Sequence, residues 1–321
     1  NELWLHPDRP SSFDAWELQH QYRRGGGPVA GLEGIEIVER GDLRSAVEVR
    51  RRFGDSTVVQ RIALDADTTT VDLAIDVDWQ ERARVLKVAM PLAVRAMHAD
   101  AEIQFAHVSR PIAPNTSWDA ARFETSGHRW LLLDEPGLAV AIVNDSSHGH
   151  DVRPAGGDAQ TPTRGVDARL TLLRSPQAPD PDADRGRHVL RYGIVVDASV
   201  ESATAAGHRL HQPLRPVEGR VAVAGPTLGA RSEGAFAVLD TVKPAADGSG
   251  DLVVRLHEAR GTHSRVALRL PWAATAVTET DLLEQPLPEP TQTLPGRADV
   301  GDDLVLDLHP FQLLTLRITA A

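Results

Sequence analysis

Cysteine is absent from all 321 residues, which excludes a disulfide, a thiolate nucleophile and any zinc site built on cysteine, and points to a cytoplasmic chain. Lysine is almost as scarce: Lys87 and Lys243 are the only two among 34 basic residues, and the surplus of arginine reads as genomic composition. No apolar run approaches the roughly 20 residues needed to span a bilayer, and the opening NELWLHPDRP lacks both the basic region and the apolar stretch of a signal, so no membrane partner is expected. A formal net charge of −11 argues against nucleic acid, whose phosphates need clustered cations. The first residue is Asn1 and no targeting peptide accounts for it, so a portion of a longer polypeptide is expected.

What remains is patterned as β-structure. In TVDLAIDVDW, Val71, Leu73, Ile75 and Val77 alternate with Asp72, Asp76 and Asp78, the period of a half-buried strand. AEIQFAHV, GLAVAIVND, ARLTLLRS, HVLRYGIVVD, DLVVRLHE, HSRVALRL, DLVLDLHP and FQLLTLRIT repeat the theme between Gly, Pro, Asp and Asn. The best helical candidate is DAWELQHQYRR, and no convincing helix exceeds about two turns. Antiparallel sandwiches follow. The length suits one large domain or two ordinary ones; the stretch Ser199 to Gly225, rich in Ala, Pro and Gly, places a boundary near Pro216, and EQPLPEPTQTLPGRADVGDD reads as a long loop before two closing strands.

The segment RSPQAPDPDADRGRH sets Asp180, Asp182 and Asp184 at alternate positions, as a calcium loop begins. Counting from Asp180, however, Arg185 stands where the loop needs glycine and Arg191 where it needs a bidentate glutamate, and Pro179 and Pro181 oppose the curl. A solvated acidic loop is the better reading. His148, His150, Asp145 and Asp151 can be drawn as a metal site, but no third ligand is specified and ordinary loop residues are favoured. Trp79, Trp118 and Trp130 could stack on sugar rings; their place in or beside strands favours the core. No spacing among the thirteen histidines selects an acid–base pair.

The order of SFDAWELQHQYR (Ser12 to Arg23), LKVAMPLAV (Leu86 to Val94), RPIAPNTSWDAARFETSGHRW (Arg110 to Trp130), GLAVAIVNDSSHGHDV (Gly137 to Val152) and LTLLRSPQAPDPDADRGRHVLRYGI (Leu170 to Ile194), with VVRLHEARG, TDLLE and HPFQLLTLRI near the end, resembles the carboxy-terminal half of the retaining α-mannosidases of glycoside hydrolase family 38. The resemblance implies an all-β fold: a large antiparallel supersandwich like that of galactose mutarotase (1–215), then a smaller β-sandwich (216–321). It also implies an amino-terminal catalytic barrel and helical linker in the same polypeptide, holding the nucleophile and zinc, so this chain itself would carry no catalytic residue, metal or cofactor. Retaining hydrolysis needs two carboxyl groups roughly 5 Å apart, and nothing here matches the barrel that supplies them. His148 and His257 stand where many relatives have an aromatic.

The expected role is the non-nucleophile portion of an α-mannosidase, supporting the barrel and meeting a mannose-containing glycan; a homo-oligomer stays open. An independent carbohydrate-binding or mutarotase-like protein and a purely structural interaction module are the alternatives. For substrate binding the named residues are Arg174, Asp180, Asp182 and Asp184, since planar multidentate donors and carboxylates on a loop suit sugar hydroxyls. The competing expectation is that Arg174 and Arg187 pair with these aspartates and fix the loop. SSFDAWELQH and Trp4 are expected at the edge of an apolar docking patch.

Overall fold

The structure, a computed structural model, describes residues 1–156, 165–216, 218–219, 229–231 and 236–321; of the boundary stretch Ser199 to Gly225, residues 217 and 220–225 lie outside these. The described residues form two compact units, Asn1–Glu102 with Val108–Leu214, and Ile103–His107 with Arg215–Ala321.

In the first unit the period-two segments pair into two large antiparallel sheets. One has six strands, in the order Thr125–Ser126, Gly149–Pro154, Val166–Arg174, Arg84–Leu92, Glu2–Pro7, Gly27–Pro28. The other has nine, in the order Leu32–Arg40, Arg44–Phe53, Ser56–Asp65, Thr70–Trp79, Gly186–Val196, Leu138–Asn144, Trp130–Glu135, His98–Ile103, Ala106–Pro111. Alternation sends one side chain in two into a common core: Leu86, Val88, Met90 and Leu170 from the first sheet meet Ile75, Val77, Leu133 and Ile142 from the second. Each such side chain, fully buried, stabilises the fold by about 1.5–3 kcal/mol. Trp79 and Trp130 are buried as expected, whereas Trp118 is 81% exposed on the short helix Ser117–Ala120. The fold is the expected all-β supersandwich followed by a smaller sandwich.

Two local expectations fail. DAWELQHQYRR is no helix: Phe13 has a left-handed φ of 53°, and only His20–Arg23 closes a 3₁₀ turn. The carbonyls of Asp14, Ala15 and Glu17, which a helix would direct to amides four residues on, accept from the Arg174 guanidinium instead. Conversely, a three-turn helix, Val200–His211, forms where only a linker was read. Its start is a capping box, in which the Ser199 hydroxyl accepts from the Ser202 amide and the Ser202 hydroxyl from the Ser199 amide. Ala203 and Ala206 seat it on Trp130, Ala141 and Val143, across the nine-stranded sheet from the main core. The approach is close at Gly207, where a Cβ would lie 2.8 Å from that of Arg129.

The second unit pairs the three-stranded sheet Gly229–Arg231, Ser264–Arg269, Asp303–Leu308 with the four-stranded sheet Ala237–Pro244, Leu252–Glu258, Leu313–Ala320, Ala274–Thr280. Its core gathers Val254, Leu256, Val266, Leu268, Leu306, Leu314 and Leu316, and a loop precedes the last two strands as expected. Glu258 is fully buried, and its carboxylate accepts from the amides of Arg260, Gly261, Thr262 and Phe311 at 2.7–3.1 Å. Burial alone would raise its pKa, but the four amide bonds outweigh it and hold the carboxyl below its usual value. One side chain thereby fixes two loops. His257 beside it, one of the departures noted above, is buried with Nδ1 2.5 Å from Asp240 Oδ2.

Candidate functional site

Lysine in a strand otherwise reading RVL.VAMPL is the anomaly from which the site grows. With Leu86, Val88 and Met90 committed to the core, Lys87 faces the other side of the six-stranded sheet, cross-strand from Trp4 and Thr171, yet none of its side chain reaches solvent. A buried ammonium must be neutralised and hydrogen-bonded where it stands. Glu124 Oε1 accepts from Nζ at 2.7 Å, the same oxygen accepts from the Thr171 hydroxyl, and Nζ lies 4.7 Å from the Tyr22 ring centroid. Glu124 fits because position 149 is glycine: a Cβ there would be 2.7 Å from its carboxylate.

The network continues through Tyr22, itself buried, whose hydroxyl donates to Asp151 Oδ2. Burial, reinforced by the Asp151 charge, keeps that phenol protonated well above its usual range. Asp151 also accepts from Arg23 at 2.9 Å and Arg153 at 3.1 Å, and Arg23 donates to the Phe123 carbonyl at 2.7 Å. Two histidines flank the cluster. His6 Nε2 accepts from Arg169 Nη1 at 3.1 Å, while neither ring nitrogen of the buried His150 has a partner among the described residues. Both are lowered to about pKa 4, in each case first by burial; Arg169 and Lys87 add to the shift of His6, and for His150 the Lys87 charge works against the attraction of Glu124.

Arg174 lies on the strand Val166–Arg174, and all three of its guanidinium nitrogens donate. Nε reaches Asp8 Oδ2 at 2.5 Å, Nη2 reaches the carbonyls of Asp14 and Glu17 at 2.6 Å, and Nη1 that of Ala15 at 3.3 Å. Its carboxylate partner is the buried Asp8, so the expected pairing with the loop aspartates is corrected. Asp182 belongs to Arg82 at 2.6 Å and Arg185 at 2.9 Å; Asp180 Oδ1 accepts from the Asp182 amide; Asp184 has a left-handed φ of 59° and its carbonyl meets His188 Nε2 at 2.7 Å. Arg187 pairs with Asp76. The four named residues are thus divided among separate contacts. The clamp has an outward consequence: the segment it grips presents Phe13 at 70% and Trp16 at 74% exposure.

The metal arrangement drawn around position 149 comes apart in the same way. Asp145 binds Arg191, Asp151 binds Tyr22 and Arg23, His150 turns inward and His148 is exposed. Among the described residues no three His, Asp or Glu side chains gather as a metal would require. Sequence reasoning missed Lys87, Glu124 and Tyr22 as a group; the available signal was one lysine among apolar strand residues in a chain holding only two.

Residues 1–182 match the family model described as Glycosyl hydrolases family 38 C-terminal domain, and residues 237–316 that described as Glycosyl hydrolases family 38 C-terminal beta sandwich domain. The chain is 35% identical over 325 residues to Alpha-mannosidase 2C1 of Homo sapiens, covering 98% of this chain and 30% of that protein. To Alpha-mannosidase G of Dictyostelium discoideum it is 32% identical over 303 residues, covering 89% of this chain and 26% of that protein. An alpha-mannosidase structure from Enterococcus faecalis V583 aligns with a TM-score of 0.72 at 15% identity, over 98% of this chain and 38% of that one, a likeness of fold. The chain therefore spans less than a third of the length of these curated relatives.

Three outcomes are expected. In urea titrations Glu124→Leu should cost about 3–5 kcal/mol, because it strands a sealed ammonium, and Lys87→Met less, because Glu124 is partly wetted; the double variant should recover most of the loss, and strictly additive effects would contradict the pairing. Arg174→Ala should cost about 3 kcal/mol by leaving Asp8 buried and unpaired, with proteolysis within residues 9–18 as the local readout; unchanged stability and protection would remove the clamp. For His150, a folded pKa near 4 against an unfolded value near 6.5 means that the unfolded chain takes up the proton first as pH falls. Its contribution, intact above pH 6.5, should decline by about 3 kcal/mol between pH 6.5 and 4, and His150→Leu should flatten that part of the stability curve.

Proposed function

The chain belongs to glycosyl hydrolase family 38, whose C-terminal region it carries, and from that premise we propose that it is the non-nucleophile β portion of a retaining α-mannosidase. Its partner in this reading is a catalytic barrel with a helical linker in the same polypeptide, and its distant ligand the mannose-containing glycan held there. The observation that carries the docking role is the segment around Phe13 and Trp16. Exposed aromatic side chains on a loop are ordinarily an entropic and solvation liability, yet here the backbone beneath them is fastened by a buried ion pair and three carbonyl contacts. Such a rigid apolar edge suits a permanent intrachain interface, because little ordering is left to do on association.

In this reading zinc is held in the barrel; among the described residues of this chain no donor set converges. The carboxyl pair of a retaining glycosidase is likewise assigned to the barrel. What this chain's own groups do is structural: Lys87, Glu124, Tyr22 and Asp151 lock the outer face of the six-stranded sheet, and Arg174 with Asp8 holds the docking edge at a fixed height above it.

The isolated chain should show no turnover of an aryl α-mannoside above background. In the full-length polypeptide, Trp16→Ala should lower thermal stability of the barrel while leaving the isolated chain's stability within about 0.5 kcal/mol, as for an exposed residue. Turnover by the isolated chain that is abolished by a substitution within it would overturn the assignment, and so would an unaltered full-length Trp16→Ala protein for the docking edge.

A further inference from the structure

On the face of the nine-stranded sheet that carries the helix Val200–His211, the first unit holds a recess of about 290 Å³. Its origin lies in the register. Ala74 sits between Arg61 and Arg191 on neighbouring strands, and Ala63 is paired with Asp72, so small and charged side chains alternate across the sheet. The alanines leave a shallow apolar floor; the arginines rise around it. Arg209, from the last turn of the helix, completes the wall.

Two of the rim arginines, Arg61 and Arg209, keep donors in reserve. Arg61 uses one nitrogen on Glu39 at 2.6 Å, whereas Arg44 is committed, with Nη1 2.5 Å from Asp65 and 3.5 Å from Asp72 and Nε 3.8 Å from Glu39. Arg191 gives Nε to Asp145 and Nη2 to the Leu210 carbonyl at 2.8 Å, which also neutralises the negative end of the helix beside the recess. Arg209 has no partner among the described residues. In a chain of net charge −11, many of whose arginines pair with carboxylates across the sheets, Arg209 keeps its donors unspent at the mouth of this recess. Planar guanidinium forks bind carboxylate and phosphate oxygens two at a time, while Asp72, also in the lining and 3.5 Å from Arg44, can accept from hydroxyl groups.

We propose that this recess binds a monosaccharide-sized ligand bearing an oxyanion, a sugar phosphate or a uronate, with the charged group on Arg209 and Arg61 and the ring over Ala63 and Ala74. The volume is at the small end for ligand pockets and admits one sugar ring, not an oligosaccharide. This site is independent of the mannosidase assignment: it lies wholly in the first unit and needs no barrel.

The test is calorimetric titration of the 321-residue chain at low ionic strength with a hexose 6-phosphate, a hexuronate, the unmodified hexose and inorganic phosphate. Saturable one-to-one binding of either anionic sugar, with none of the neutral hexose, is expected, and which of the two binds identifies the oxyanion. Arg209→Ala, at an exposed and unpartnered position, should weaken it about tenfold; Ala74→Leu should abolish it by filling the floor with all charges retained; Arg297→Ala, an exposed arginine of the second unit, should leave it unchanged. Absence of saturable binding by both anionic sugars, equal binding of the neutral hexose, or affinities that do not differ between Arg209→Ala and Arg297→Ala would each overturn the proposal.

Discussion

An ammonium group sealed from water has to be answered on the spot, and much of the first unit is arranged around that demand at Lys87. Desolvating a full charge costs several kcal/mol even after relaxation, so the strand that carries it cannot be placed until a carboxylate, a hydroxyl and a π-face are in position. Glu124, Thr171 and Tyr22 come from distant parts of the chain. Their convergence ties the first twenty-odd residues and the loop before Thr125–Ser126 to the same sheet face, and Tyr22 passes the constraint on to Asp151 and its two arginines. An antiparallel sheet of this kind would ordinarily leave that face wet. Here it is a second, polar core.

A second principle governs the remaining surface. Carboxylates outnumber cations, and cross-strand pairs such as Arg265 with Asp307 and Arg269 with Asp303 stand directly opposite one another in the register. Each fork engages both oxygens of its partner, which gives geometric definition to exposed strands that would otherwise tolerate slippage. Glu258 works by the converse rule, collecting backbone amides instead of a guanidinium fork.

The sheets were legible because burial on a strand repeats every second residue, as Leu73, Ile75 and Val77 do, and because the order of motifs carried a resemblance that the family models bear out. The helix Val200–His211 was not, since it buries alanines and a glycine and thus has no stripe of large apolar residues to betray its period. DAWELQHQYRR misled for the opposite reason: its local pattern is helical, but a guanidinium some 160 residues away takes its carbonyls. The site was half visible. A lone lysine among apolar strand residues is a signal that something must neutralise it, but its partners are fixed only by the fold, and Arg174 looked available on the page while the structure commits every nitrogen it has.

Lysine scarcity also has a chemical consequence. With Lys87 enclosed, Lys243 is the single side-chain amine within reach of an acylating reagent, and it is one-third exposed and leans on Glu284. Acylation of side chains by amine-directed cross-linkers, dyes and activated resins would therefore fall on one residue, in the second unit, and leave every side chain of the first unit chemically untouched.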